Sequence, residues 1–580
     1  MEILLSKPGQ KIILLGNEAI CRGALEAGVN FVSTYPGTPA SEIGNIFYKI
    51  SKKVGVYFEF STNEKVAMEA AAGASFSGLR SLVAMKHFGL NVASDFLLPL
   101  AYSGVKGGMV IFVADDPSGW SSAQSEQNTR WYAQMSHLPM LEPSTPQECK
   151  DFIKFAFNLS EKFQIPIIIR TTTRASHQSA PVKLDQIPRS SSKVPKFIKD
   201  PHCFSTMPPR VLEMKKELFE KIEKIKKISE DSKFNQLVRG RASNQLKLGI
   251  ITSGISYLYV MEALKELTPH HHVGGGLPVL KLGFIYPLPE KKIKNFIKNL
   301  KKVLIVEELE PYLEREIKIL AKEVNPKLKV YGKEGQPIEG GRIWKERKAI
   351  LPQIGELKPE YVLLAVARFS GKKLKFDSKK HLEKFEKVKI PQRLPIFCPG
   401  CPYWFIFSAI KKVVDLNNVI FGGEIGCYMM TNHPVVNLQD YLYCMGSANG
   451  IAHGISKSTK QKLITFVGDS SFFHAGIPAL INTVFNKSNP LVIIFDNQTA
   501  AMTGHQPHPG VGKKPEENGV EPIKIEDIVK ACGVKNLKVI DQVNQKEEFQ
   551  KALKEFLEKD EVSVIVARHK CALLEKKHGK

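Results

Sequence analysis

Short apolar runs, each followed by a stretch with helical spacing, recur along most of the chain. KIILLG leads into NEAICRGALEAG, and GGMVIFVA leads into a loop, so residues 1–190 read as a parallel sheet flanked by helices. Residues 191–245 break that pattern with SSSKVPK, MPPR and the charged amphipathic segment KKELFEKIEKIKK, which predicts a connector carrying one long helix. A second, smaller α/β region at 246–370 runs from KLGIITSG through VLKLGFIYPLP to KKVLIVEELEP. Lysine-rich sequence ending in IPQRLP marks a linker at 371–395. A third α/β region then covers 396–580, with KLITFVGD and PLVIIFDN as its clearest buried strands. No short-period repeat is present, and His270-His271-His272 ahead of Gly274-Gly275-Gly276 reads as a loop. The expected fold class is α/β, with two doubly wound parallel-sheet domains and a smaller α/β domain between them.

Composition narrows this picture. At 580 residues the chain exceeds one hydrophobic core, and 43% hydrophobic content at ordinary charge density is that of a soluble globular protein. The net charge of +24 raises the question of nucleic acid. The lysines are spread along the chain and alternate with glutamate, and no basic stripe carries interleaved aromatics, so the charge reads as a solvated surface. Such a surface also suits an acidic electron carrier. The N-terminal MEILLSKPGQK lacks the basic start and long apolar run of a secretion signal, and stretches such as Phe96 to Tyr102 are far too short to span a membrane. Nine unevenly placed cysteines do not make a disulfide scaffold, and a reducing cytoplasm is expected.

Two sets of residues carry chemistry. Gly468-Asp469-Ser470 ends one apolar strand just before a helical stretch, where backbone N–H groups can face phosphate oxygens, and Asn497 ends the next strand. A carboxylate and an amide oxygen at adjacent strand ends suit magnesium, although Asp469 would serve equally as a simple helix cap. Cys398-Pro399-Gly400-Cys401 opens the same region and Cys427 follows. Cys571 lies beyond the last expected strand, and Cys444 is a rival fourth member. Four thiolates suit zinc or an iron–sulfur cluster, and a lone Cys-X-X-Cys also suits a redox pair.

The 26 residues between Ser470 and Asn497 are similar to the thiamine diphosphate motif of Gly-Asp-Gly followed by Asn, with Ser470 in place of the second glycine. Longer segments extend the likeness: YPGTPASEI, MKHFGLNVASD, VADDPSGWSSAQSEQNTR, FCPGCP, CMGSANGIAHGI, GDSSFFHAGIPALIN and AMTGHQPHPG. Together they resemble the 2-oxoacid:ferredoxin oxidoreductases, specifically the large subunit of the indolepyruvate:ferredoxin enzymes, over nearly the whole chain.

That resemblance implies thiamine diphosphate bound between a pyrimidine-binding domain (1–190) and a diphosphate-binding domain (396–580), with a transketolase C-terminal-like domain at 246–370. It makes Asp469, Asn497 and the main-chain oxygen of Thr499 the Mg2+ ligands, with Gly468 and Ser470 beside the diphosphate. Glu64 of STNEKVAMEAAAG would contact the aminopyrimidine, although Ser61 to Glu64 also satisfies a helix capping box. Thr38 of YPGTP would contact substrate, with Lys86, His87 and Asn91 as candidate pocket residues and His505 and His508 as candidate loop residues. Cys398, Cys401, Cys427 and Cys571 would hold one [4Fe-4S] cluster. Implied partners are a 2-oxoacid, arylpyruvate above all, coenzyme A, ferredoxin or a similar carrier, and a small β subunit in an α2β2 assembly. Three departures stand out: the chain stops nine residues after Cys571 instead of continuing into a two-cluster ferredoxin domain, Tyr403-Trp404 replaces His-Arg, and MMTNHP differs from the family's run. A non-oxidative thiamine diphosphate lyase would need no cysteine set, and a non-catalytic subunit of an electron-transfer complex would bind no cofactor.

Overall fold

The computed structural model describes residues 2–122, 124–188, 195–238, 247–267, 277–334, 350–372, 374, 388, 391, 395–512 and 520–578. The His270 to Gly276 run, the SSSKV segment and most of the lysine-rich linker lie outside them. The chain divides into two compact units, Met1–Phe58 with Glu64–Val388, and Glu59–Asn63 with Lys389–Lys580.

In the first unit one sheet runs in the order Phe284–Tyr286, Met140–Leu141, Ile167–Thr172, Met109–Asp115, Ser81–Lys86, Phe31–Thr34. All these neighbours are parallel except the first pair. The central strands Ser81–Lys86 and Met109–Asp115 have mainly apolar, buried interiors, as in sheets covered by helices on both faces. Lys86 pairs in register with Ala114, and Asp115 with Thr172, so the loops after these strands open along one edge. A second sheet has the order Lys329–Tyr331, Lys302–Val306, Leu248–Ser253, Val279–Leu282, Gln236–Val238, parallel apart from the last strand.

Two runs behave differently from their sequence pattern. KIILL forms the strand Lys11–Leu15, but it pairs antiparallel with Ser179–Lys183 in a separate two-stranded ladder. Only Leu14 in it is fully buried and Ile13 is exposed, so the strand covers an edge and takes no place in the parallel sheet. VLKLGFIYPLP splits into two strands in two different sheets at Gly283. Asn235 Oδ1 accepts the N–H groups of Gly283 (2.8 Å) and Phe284 (3.0 Å), which holds the chain where it changes sheets.

The expected long helix spans Arg210–Asp231 and buries Met214, Leu218, Ile222, Ile225 and Ser229, the stripe its spacing predicts. A fully buried ionic cluster also ties this unit together. Arg130 pairs with Glu142 (2.9 Å) and Glu307 (3.2 Å), and Arg170 pairs with Asp115 (2.7 Å) and Glu142 (2.6 Å).

The second unit holds a six-stranded, all-parallel sheet in the order Tyr441–Leu442, Val419–Gly423, Lys462–Gly468, Leu491–Asp496, Ser563–Arg568, Asn536–Ile540. From Val419–Gly423 the chain goes first to one side and then returns to the other. The crevice beyond Gly423 and Gly468 is therefore a topological switch point, the usual ligand position in doubly wound sheets. Among the described residues no helix is long and apolar enough to cross a membrane.

Candidate functional site

The second unit carries most of the candidate residues. Gly468 is the last residue of its strand and Asp469 begins the short helical turn after it. Asp469 Oδ1 accepts the Ser470 N–H at 2.7 Å, while Oδ2 is buried without a hydrogen bond. His508 Nε2 lies 3.1 Å from that oxygen, an ion-pair distance outside hydrogen-bond geometry. Burial opposes charge on His508, but the Asp469 carboxylate, followed by that of Asp496, outweighs it and raises the imidazole's pKa. On the next strand Asn497 Oδ1 accepts the Thr499 N–H (3.1 Å), across Gln498 in the left-handed region at φ 61°. Asn497 Nδ2 donates to the buried Tyr403 hydroxyl at 2.6 Å. Asp469, Asn497 and Thr499 are all buried. A buried carboxylate oxygen lacking a hydrogen bond and a buried amide oxygen, at the ends of neighbouring parallel strands, are donors that fit a hard cation.

Cys398, Cys401, Cys427 and Cys571 line one cavity of about 190 Å³, together with Tyr403 and Asn497. Cys444 is exposed and takes no part in its wall. Gly400, at φ 78°, turns the chain so that the Cys401 N–H bonds the Cys398 carbonyl at 3.0 Å. The Cys571 N–H bonds the Asn497 carbonyl at 3.1 Å, so the cysteine wall and the Asp469–Asn497 wall share a backbone contact. Burial first, and the neighbouring thiols second, push Cys427 up to about 12; burial likewise takes Cys401 to about 11. Thiols so disfavoured as free thiolates suit a cationic metal centre that stabilises the charge. Among the described residues, no three His, Cys, Asp or Glu side chains converge closely enough for a single ion. The four cysteines contribute to the cavity wall.

Glu64 and Thr38 belong to the first unit. Glu64 is buried at the start of the helix Glu64–Phe76, against Gly89, where a Cβ would come within 2.8 Å of Glu64 Oε1. Thr38 is half-buried beside Ser41 (Oγ1 to Oγ, 3.3 Å). Lys86 lies across Gly37 and His87 is buried, with Nε2 3.4 Å from the Ser125 carbonyl. Asn91 faces outward, bonded to Gln127 and Tyr132. His508 is turned inward onto Asp469, and His505 lines the cysteine cavity.

Sequence reasoning missed Glu424 and Tyr428. Glu424 is fully buried, accepts the Tyr428 hydroxyl and the N–H groups of Gly446 (2.7 Å) and Gly468 (3.2 Å), and so joins three loops at the switch point. Tyr428 stacks on Phe495 at 5.0 Å. The available signal was a lone carboxylate directly after the apolar strand VIFGG.

Three family models match the chain. Residues 22–231 match the family described as pyruvate flavodoxin/ferredoxin oxidoreductase, thiamine diphosphate-binding. Residues 238–379 match the indolepyruvate oxidoreductase domain, and residues 424–567 the C-terminal thiamine pyrophosphate-binding domain of thiamine pyrophosphate enzymes. The chain is 41% identical to the indolepyruvate oxidoreductase subunit IorA of Methanothermobacter marburgensis, over 99% of this chain and 89% of that one. The IorA subunit of Thermococcus kodakarensis is 41% identical over 98% of this chain and 87% of its own, and that of Archaeoglobus fulgidus 39% over 99% and 88%. The chain belongs to the indolepyruvate oxidoreductase IorA family.

Proposed function

We propose that this chain is the thiamine diphosphate-binding large subunit of a cytoplasmic 2-oxoacid:ferredoxin oxidoreductase whose substrate is an arylpyruvate such as indolepyruvate. The 2-oxoacid and coenzyme A give an acyl-CoA and carbon dioxide, and two electrons leave one at a time to ferredoxin or a similar carrier. A small β subunit completes an α2β2 assembly. Residues 1–190 form the pyrimidine-binding domain, 396–580 the diphosphate-binding domain, and 246–370 the smaller domain, joined by 191–245 and 371–395.

One observation carries the reading: four cysteines line a single cavity whose wall also contains Asn497 of the diphosphate segment. That is the arrangement needed to pass electrons from a decarboxylated substrate to a cluster nearby, and a non-oxidative lyase has no use for it. A set of four cysteines is the ligand set of a [4Fe-4S] cluster, which carries electrons as zinc does not.

When bound, thiamine diphosphate supplies the electron sink for loss of carbon dioxide. Asp469, Asn497 and the Thr499 main-chain oxygen would hold Mg2+, with Gly468 and Ser470 beside the diphosphate. Tyr403, taking the Asn497 amide, keeps that residue's oxygen turned toward the Thr499 bend. Glu64 holds a proton at the aminopyrimidine, and Thr38 contacts the substrate. Cys571 is the fourth cluster ligand.

The test is anaerobic co-purification with the small subunit, iron and sulfide analysis, and addition of arylpyruvate and coenzyme A. About four irons per chain and arylpyruvate-dependent bleaching of the cluster absorbance are expected. A cluster that no 2-oxoacid bleaches would overturn the proposal.

A further inference from the structure

Lys86 is the last residue of the strand Ser81–Lys86, on the edge of the first unit's sheet where the chain also turns through Tyr35 to Thr38. Its stem lies across Gly37: a Cβ there would come within 3.0 Å of Lys86 Cγ and 3.1 Å of Cδ. The glycine therefore leaves a groove for the lysine, and the next residue is Thr38. The ammonium sits over the Phe88 ring, 5.0 Å from its centroid, and among the described residues no carboxylate pairs with it. Glu64 and Asp116 act on it only through space. Asp116 is committed elsewhere, accepting the Ser121 N–H (2.7 Å), the Ser121 hydroxyl (3.0 Å) and the Thr173 hydroxyl (2.7 Å). Burial, more than any neighbouring charge, sets the ammonium's pKa below that of an ordinary lysine.

A half-buried ammonium held against an aromatic ring, with no carboxylate paired to it, is partly stripped of water and open to pair with an arriving anion. The local field limits which anion. Two carboxylates within electrostatic reach disfavour a multiply charged phosphate and tolerate a single negative charge. We propose that Lys86 binds the carboxylate of the 2-oxoacid substrate, so that the Gly37-Thr38 corner and Lys86 together recognise the oxoacid head group. The inference rests on the functional reading above. Because that carboxylate is lost during the reaction, the contact belongs to the bound substrate and its removal acts on KM.

The experiment compares wild type, Lys86→Met and Lys86→Arg in the complex with the small subunit. Turnover of arylpyruvate is measured, and calorimetry reads binding of arylacetate, its uncharged amide and thiamine diphosphate. In Lys86→Met, KM for arylpyruvate and Kd for arylacetate rise about 10- to 100-fold, the range of one charge-assisted contact. Affinity for arylacetamide and for thiamine diphosphate stays within about twofold, kcat changes little, and Lys86→Arg recovers most of the preference for acid over amide. If Lys86→Met keeps the wild-type preference, or loses acid and amide equally, the assignment of Lys86 is overturned. The binding arm needs no turnover, so a wild-type complex that turns over no 2-oxoacid counts against the functional reading instead.

Discussion

The Glu424 carboxylate receives three donors, the Tyr428 hydroxyl and the N–H groups of Gly446 and Gly468, in a fully buried position. Burial opposes its ionisation and outweighs those donors, raising its pKa from 4.5 to about 7. A carboxyl that holds its proton more tightly folded than unfolded favours the fold on the acid side. That contribution is full below about pH 4.5, shrinks as pH rises toward about 7, and is gone above it. A shift of this size corresponds to about 3 kcal/mol between those limits. In the anaerobically purified protein, the urea midpoint of the second unit should fall between pH 5 and 7.5, and Glu424→Gln should flatten the fall. Equal pH dependence in the two proteins would refute it. Gln also turns one acceptor into a donor facing a backbone N–H, so thiamine diphosphate affinity should drop about tenfold through the displaced Gly468 turn. The sequence offered no measure of this. Glu424 stands 22 residues from Gly446 and 44 from Gly468, and their meeting depends on strand order.

At the scale of elements, what was legible followed local periodicity. The stripe from Met214 to Ser229 and the apolar runs ending at Asp115, Gly468 and Asp496 each encode their own burial. What was not legible depended on distant partners. Nothing within the run VLKLGFIYPLP announces that Asn235, 48 residues earlier, will accept the N–H of Gly283 and that the run will divide between two sheets. Gly283 is required there for space: a Cβ would lie 2.8 Å from both the Phe234 Cβ and the Phe234 carbonyl oxygen, and the backbone atom cannot move aside cheaply. Gly283→Ala should therefore cost roughly 2 kcal/mol, an overpacking penalty, and lower the melting temperature while far-ultraviolet circular dichroism stays unchanged. An unaltered melting curve would mean that the sheet-to-sheet crossing is looser than its contacts imply.

Across the whole molecule, the cysteine set shows how chain order and spatial order part. Cys398 and Cys401 are neighbours by local geometry alone, and their pairing was readable from Cys-Pro-Gly-Cys. Cys444 and Cys571 could not be ranked from spacing, since Cys444 is far nearer to Cys427 in sequence. The sheet reverses that ranking. The strands Leu491–Asp496 and Ser563–Arg568 are parallel neighbours, so the chain beyond Arg568 returns to the end of the strand bearing Asn497. Cys571 thus joins the cavity wall while Cys444, beyond the outermost strand Tyr441–Leu442, stays exposed. If Cys571 is a cluster ligand, Cys571→Ala should lose most of the bound iron and sulfide and the cluster's reduced-state paramagnetic signal. Cys444→Ala should keep both at wild-type levels. Both variants should retain thiamine diphosphate affinity within about threefold, because the Cys571 contact to Asn497 is made by its backbone N–H, which alanine preserves. Iron retained in Cys571→Ala and lost in Cys444→Ala would show that the assembled enzyme rearranges the loop after Tyr441–Leu442 toward the cavity. The cluster would then be built from a different set of strands than the sheet order implies.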